Sequence, residues 1–160
     1  MTSKAFTASW IIQLVANIVG GIGGLFMVIY PQVFMADEVR VYLGRTWSEL
    51  EAANPDLFRY FLHDVRLLGF TQVALALVVI VVVLFYYRKR DKVAWFLTLV
   101  ATAVYLVPAV TLNILIGEPG VTITLAILLL ASIVALALGF QPVFGQSAGR
   151  PQRGPALQAS

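Results

Sequence analysis

The chain has one histidine, His63, and no cysteine among its 160 residues, so few side chains can do chemistry and their neighbours decide which kind. His63, Asp64 and Arg66 form the best polar constellation. On a helix His63 and Arg66, three residues apart, share a face, with Asp64 beside them. A histidine that titrates near neutrality and a guanidinium that holds an anion can relay a proton or grip a lipid headgroup. The preferred reading of the same cluster is interfacial charge that caps a span and contacts lipid phosphates. No second histidine and no pair of internal carboxylates completes a metal or acid–base site. No catalytic residue and no metal ligand is therefore assigned, and a non-catalytic role is preferred while an enzyme stays open. The absence of cysteine excludes thiolate nucleophiles, disulfides and Cys-linked haem, and one histidine cannot ligate haem in pairs. No Walker motif, dinucleotide loop, HExxH motif or inverted repeat is present.

A second group of polar residues lies within apolar sequence: Gln13, Asn17, Gln72, Tyr105 and Asn113. An amide or phenol without a partner in hydrocarbon is costly, so these side chains must face protein or a cavity. Gln13 and Asn17, four apart, share a helix face. Two readings stay open, a site for a quinone, lipid, pigment or other apolar ligand with a polar end, and plain interhelical hydrogen bonding.

The elements that position these residues are legible from the apolar blocks. Hydrophobic residues make up 60% of the chain and charged ones 12%, about half the charge of an ordinary soluble domain. Blocks at 10–30, 67–87, 93–116 and 121–140 contain no Asp, Glu, Lys, Arg or His, and each reaches the roughly 20 residues a helix needs to cross a bilayer core. A buried soluble bundle would show charged faces every three or four residues, and a transmembrane barrel would alternate in segments of about ten. The fold class expected is all-α: a polytopic membrane protein with four transmembrane helices in an antiparallel bundle. It occupies 1–144, with an outer, partly helical insert at 31–60 and a polar Gly/Pro-rich tail at 145–160. The first block is too long for a cleavable signal peptide, and Pro31 follows it where a small-residue cleavage site would stand.

Charge sets the orientation. Arg88, Lys89, Arg90 and Lys92 crowd the second connection, and Lys4, Arg150 and Arg153 fall on the same side; Arg40, Arg45, Arg59 and Arg66 fall on the other. The positive-inside bias places both termini in the cytoplasm, in a bacterial inner or cytoplasmic membrane. The net charge of +3 then reflects topology and contact with membrane lipids, with no nucleic-acid partner implied. Trp10, Tyr30, Phe85, Tyr86, Tyr87, Trp95, Phe96 and Phe140 flank the spans as interfacial anchors. In the insert, Thr46 or Ser48 is expected to cap a short helix ended by Asn54-Pro55, and Asp56 to cap the next, so that the second span begins outside the membrane. Gly20 and Gly24 have the spacing of a close-packing face, within the chain or toward a partner, or mark a flexible turn. Pro108 should kink the third span, and 117–120 should be a tight turn.

The four-span plan, the Arg66-Leu67-Leu68-Gly69 opening of the second span and the short basic connection after it resemble the small DoxX-like membrane proteins. That resemblance implies a four-helix membrane protein, in some members associated with oxidoreductase complexes. The insert and the glycine cluster have no counterpart in it, and no catalytic role follows. The functional expectation is an accessory or structural subunit of a larger integral membrane complex, respiratory or photosynthetic, that supports assembly and lipid or cofactor packing beside other membrane subunits. The alternative is a small-ligand-binding membrane protein, for a quinone, lipid or pigment, or a minor membrane oxidoreductase component.

Overall fold

The computed structural model describes residues 4–117 and 119–145, except the side chain of Glu38. Beyond Gly145 the expected tail lies outside the described residues, with Arg150 and Arg153, as does Glu118 of the last connection. Seven α-helices follow one another: α1 Lys4–Ile29, α2 Pro31–Phe34, α3 Ala36–Leu43, α4 Trp47–Ala53, α5 Pro55–Phe85, α6 Lys92–Ile116 and α7 Pro119–Phe144, with a 3₁₀ turn at Tyr87–Lys89. The described residues include no strand. Among the described residues, four helices are long and apolar enough to cross a membrane: α1, α5 with the turn after it, α6 and α7.

Local chemistry explains the boundaries. Pro31, which has no N–H to offer, starts α2 one residue after α1 ends. Gly44, at φ 64°, closes α3 in the left-handed region. Thr46 caps α4 in a reciprocal box: its hydroxyl accepts the Glu49 N–H at 3.3 Å, and its own N–H donates to Glu49 Oε2 at 2.7 Å. The cap of α5 is Asn54, whose Oδ1 accepts the Leu57 N–H at 3.0 Å. Asp56, expected in that role, lies instead within the first turn. Pro55 fits the first helical position, which displaces the cap to the residue before it. Asp91 caps α6 by accepting the Ala94 N–H at 2.9 Å, after Arg90 has turned the chain through φ 64°. Pro108 and Pro142 lie inside α6 and α7.

The box at Thr46 has a measurable consequence. Glu49 is held below the ordinary carboxylate range, first by the Thr46 backbone N–H and then by the Thr46 hydroxyl. A depressed acid stabilises the fold fully above its unfolded pKa and loses that contribution as pH falls through the folded one. Thr46→Ala should speed hydrogen exchange at the Leu50 and Asn54 amides roughly fivefold. Unchanged exchange would mean that α4 is held by packing of Leu50, and by Trp47 edge-on to Phe58, without help from the cap.

The longest contact is α1 along α5; α1 also packs on α7, and α7 on α6, whereas α5 and α6 meet sparsely. The order is therefore α5, α1, α7, α6, with a thin seam between the last and the first. Backbones touch where α1 crosses α5: a Cβ built on Gly24 would lie 2.9 Å from the Gly69 carbonyl oxygen, and one on Gly69 only 2.6 Å from that of Gly24. Phe6, Val83, Tyr87, Trp95 and Leu136 belong to a buried cluster at the end where the basic turn joins α5 to α6.

Candidate functional site

All four long helices line one partly open cavity of about 60 Å³. Asn17 and Gly20 come from α1, Gln72 and Ala76 from α5, Thr102 and Tyr105 from α6, Leu128 and Ser132 from α7. Gln72 Nε2 donates to the Gly20 carbonyl at 2.8 Å, and Asn17 Nδ2 donates to the Gln13 carbonyl at 2.8 Å. Both partners are acceptors, which fixes the amide orientation and leaves each side chain its oxygen and one further N–H to offer. Tyr105 makes no hydrogen bond among the described residues. Its ring also borders a second, larger space of about 350 Å³ between α5 and α6, lined by apolar residues and Thr98. The Thr98 hydroxyl is turned back onto its own helix, donating to the Ala94 carbonyl at 2.8 Å.

One turn toward the basic end, Gln13 is fully buried and donates through Nε2 to the Ser132 carbonyl at 3.0 Å, while its Oε1 has no protein partner. A further turn along, Ser9 donates to the Ala135 carbonyl at 2.6 Å and lies 2.6 Å from the Tyr87 hydroxyl, which therefore donates to Ser9. Gly139 provides the notch for that pair, since a Cβ there would overlap the Tyr87 oxygen and lie 2.7 Å from Ser9 Oγ. Trp95 Nε1 closes the same end with a 3.1 Å bond to the Leu136 carbonyl. Outside this plug the basic residues stand over aromatic rings: Arg88 over Trp10 at 5.4 Å, Arg90 over Phe6 at 5.4 Å and Lys92 over Phe144 at 5.6 Å.

Of the five polar candidates, Asn17, Gln72 and Tyr105 share the cavity and Gln13 lies behind its wall. Asn113 does not join them; its Nδ2 bonds the Ala109 carbonyl at 2.9 Å, one turn back on α6. His63, Asp64 and Arg66 are exposed on α5. His63 Nδ1 and Asp64 Oδ1 are 3.7 Å apart, both side chains largely open, and the cluster does not reach the cavity. Gly20 and Gly24 face Gln72 and Gly69 respectively. Tyr87 and Trp95, read as interfacial anchors, are buried: Tyr87 holds the Ser9 bond and Trp95 packs on Phe140 and Phe144. Reasoning from sequence passed over Ser9, Thr102, Ser132 and Gly139. For Ser9 a signal existed, because Ser9, Gln13 and Asn17 recur every four residues on one face of α1.

No charged side chain lines the cavity, and among the described residues no group of three His, Asp or Glu side chains is placed to hold a metal ion. The arrangement suits a neutral polar group presented to two side-chain amides and a phenol. Comparison with protein-family models, with curated proteins and with solved structures returns no match to this chain.

Proposed function

We propose that the chain is an integral membrane protein whose four long helices form an antiparallel bundle with both termini cytoplasmic, and that the bundle binds an apolar molecule with a small polar end. The carrying observation is the convergence of Asn17, Gln72 and Tyr105, from three different helices, on one cavity in which the Tyr105 hydroxyl is unbonded. The antiparallel arrangement is supported by contacts whose numbers run in opposite senses: Gly24 meets Gly69 while Phe6 meets Tyr87, and Gln13 meets Ser132 while Ser9 meets Ala135. Orientation rests on the basic turn at one end. Because the chain has no cysteine, single replacements report it cleanly. In intact cells a membrane-impermeant maleimide should label Ser48→Cys and spare Lys89→Cys, and the reverse pattern would invert the topology.

A role as accessory subunit of a larger membrane complex is the second reading. Its glycine argument is weakened, since Gly24 is used against Gly69 within the chain. What favours it is α6: none of its most apolar 18-residue stretch is buried, which leaves a face that a neighbouring subunit would cover. Purification from native membranes in mild detergent, with mass spectrometry of the organic extract and of co-migrating proteins, separates the two. A small molecule near one per chain, lost in Gln72→Leu, is expected. Foreign subunits with no stoichiometric small molecule would overturn the ligand-binding reading in favour of the second.

A further inference from the structure

Resting on the reading of the cavity as a ligand site, we infer that the ligand is a neutral, hydroxyl-ended single-chain lipid that reaches Tyr105 sideways through the cleft between α5 and α6. Size argues against a ring at the polar end. The cavity measures about 60 Å³, whereas an engineered cavity of ~150 Å³ is the scale that admits benzene. Charge is excluded by the lining, which offers no counter-ion, and an unpaired carboxylate or ammonium in such surroundings is neutralised or expelled. Hydrogen-bond complementarity then selects among neutral ends. Gln72 and Asn17 each keep an acceptor oxygen and one N–H, and Tyr105 can both donate and accept. A hydroxyl satisfies donors and acceptors together; a carbonyl end leaves both amide oxygens without a donor.

The route is set by which seams are closed. Contacting backbones close α1 against α5, and toward the basic end the Gln13 and Ser9 bonds hold α1 to α7 and Trp95 holds α6 to α7. The α5–α6 seam instead holds a cleft of about 350 Å³ that shares Leu75, Val79, Ala101 and Tyr105 with the cavity. On α6 the lining runs from Leu97 to Tyr105, about 12 Å at 1.5 Å per residue. Apolar side chains of both helices border most of it, a lining suited to a hydrocarbon chain. The chain lies along that lining and its hydroxyl passes Tyr105 into the cavity.

The test uses the full chain in nanodiscs and a photoreactive hexadecanol carrying a chain diazirine, with cross-links mapped by peptide mass spectrometry. Cross-links should concentrate at Val78, Val100 and Val104 over Ile127 and Leu130, equally exposed residues of α7. Plain hexadecanol or an isoprenoid alcohol should compete, whichever is the stronger identifying the chain type, while hexadecane and hexadecanoate at pH 8 should not. Tyr105→Phe should weaken competition by about five- to tenfold, the value of one hydrogen bond. Val104→Trp should block labelling; Val104 is 70% exposed, so the fold tolerates the larger side chain, as an unchanged unfolding midpoint will verify. Uniform cross-linking, equal competition by hexadecane, or full labelling of Val104→Trp would overturn the inference. Failure of the underlying site reading looks different: no saturable labelling by any probe and no molecule in the native extract.

Discussion

Gly69→Leu should abolish the folded monomer in mild detergent, the largest effect expected of any single change. A Cβ at Gly69 already lies 2.6 Å from the Gly24 carbonyl oxygen and 2.9 Å from the Met27 Cβ, so the obstacle is backbone and the root of a side chain, neither of which rotates away. The helices must part along the longest interface in the bundle. Overpacking a mobile core costs about 1–3 kcal/mol, and against fixed backbone the penalty lies at or above the top of that range. Alanine substitutions give a graded test. Gly69→Ala should be worst, Gly24→Ala next at 2.9 Å from the Gly69 oxygen, and Gly23→Ala mild, because its nearest neighbour is Gln72 Nε2 at 3.6 Å. Unfolding midpoints in mixed detergent micelles would rank them, and a Gly69→Ala protein as stable as Gly23→Ala would refute the close crossing.

The second large effect belongs to the polar plug. Gly139→Ala should destabilise by about 2–3 kcal/mol, because the new methyl overlaps the Tyr87 hydroxyl, which has no free volume to retreat into. Tyr87→Phe alone removes one hydrogen bond, about 1 kcal/mol, and leaves Ser9 its bond to Ala135. Combined, the two should cost less than their sum, with a coupling of about 1 kcal/mol, since deleting the hydroxyl makes room for the methyl. The Tyr87 ring carbon that bears it stays 3.1 Å from the methyl position, so relief is partial. Strict additivity in the four-variant cycle would show that the notch is not shaped around that oxygen.

The four long apolar helices were legible because an uncharged run of twenty residues has few alternatives, and Thr46 was legible because a capping residue acts on the chain next to it. Asp56 misled for a local reason as well: Pro55 takes the first helical position and hands the cap to Asn54. The polar plug was not legible. Ser9 reaches a carbonyl 126 positions away, and Tyr87, next to Arg88 and Lys89, reads as an interfacial ring until the partner at Gly139 is known. Threonines show the same ambiguity. Thr71, Thr98, Thr111 and Thr124 all satisfy their hydroxyls on their own helices, so nothing in sequence set Thr102 apart as a cavity residue. Gly69, part of the motif behind the resemblance to DoxX-like proteins, has a packing reason of its own.

The sparse contact between α5 and α6 also bears on biogenesis. In the proposed membrane setting, α1 and α5 can pair as soon as both have left the ribosome, but α6 emerges with almost nothing to lean on until α7 follows. Ser9 and Gln13 wait for the same event, because the carbonyls they bond, those of Ala135 and Ser132, belong to α7. A chain halted after Gly117 therefore leaves Ser9 with Tyr87 alone, and the Gln13 amide without its carbonyl, beside an unsupported span. Synthesis of the final helix supplies both carbonyls at once.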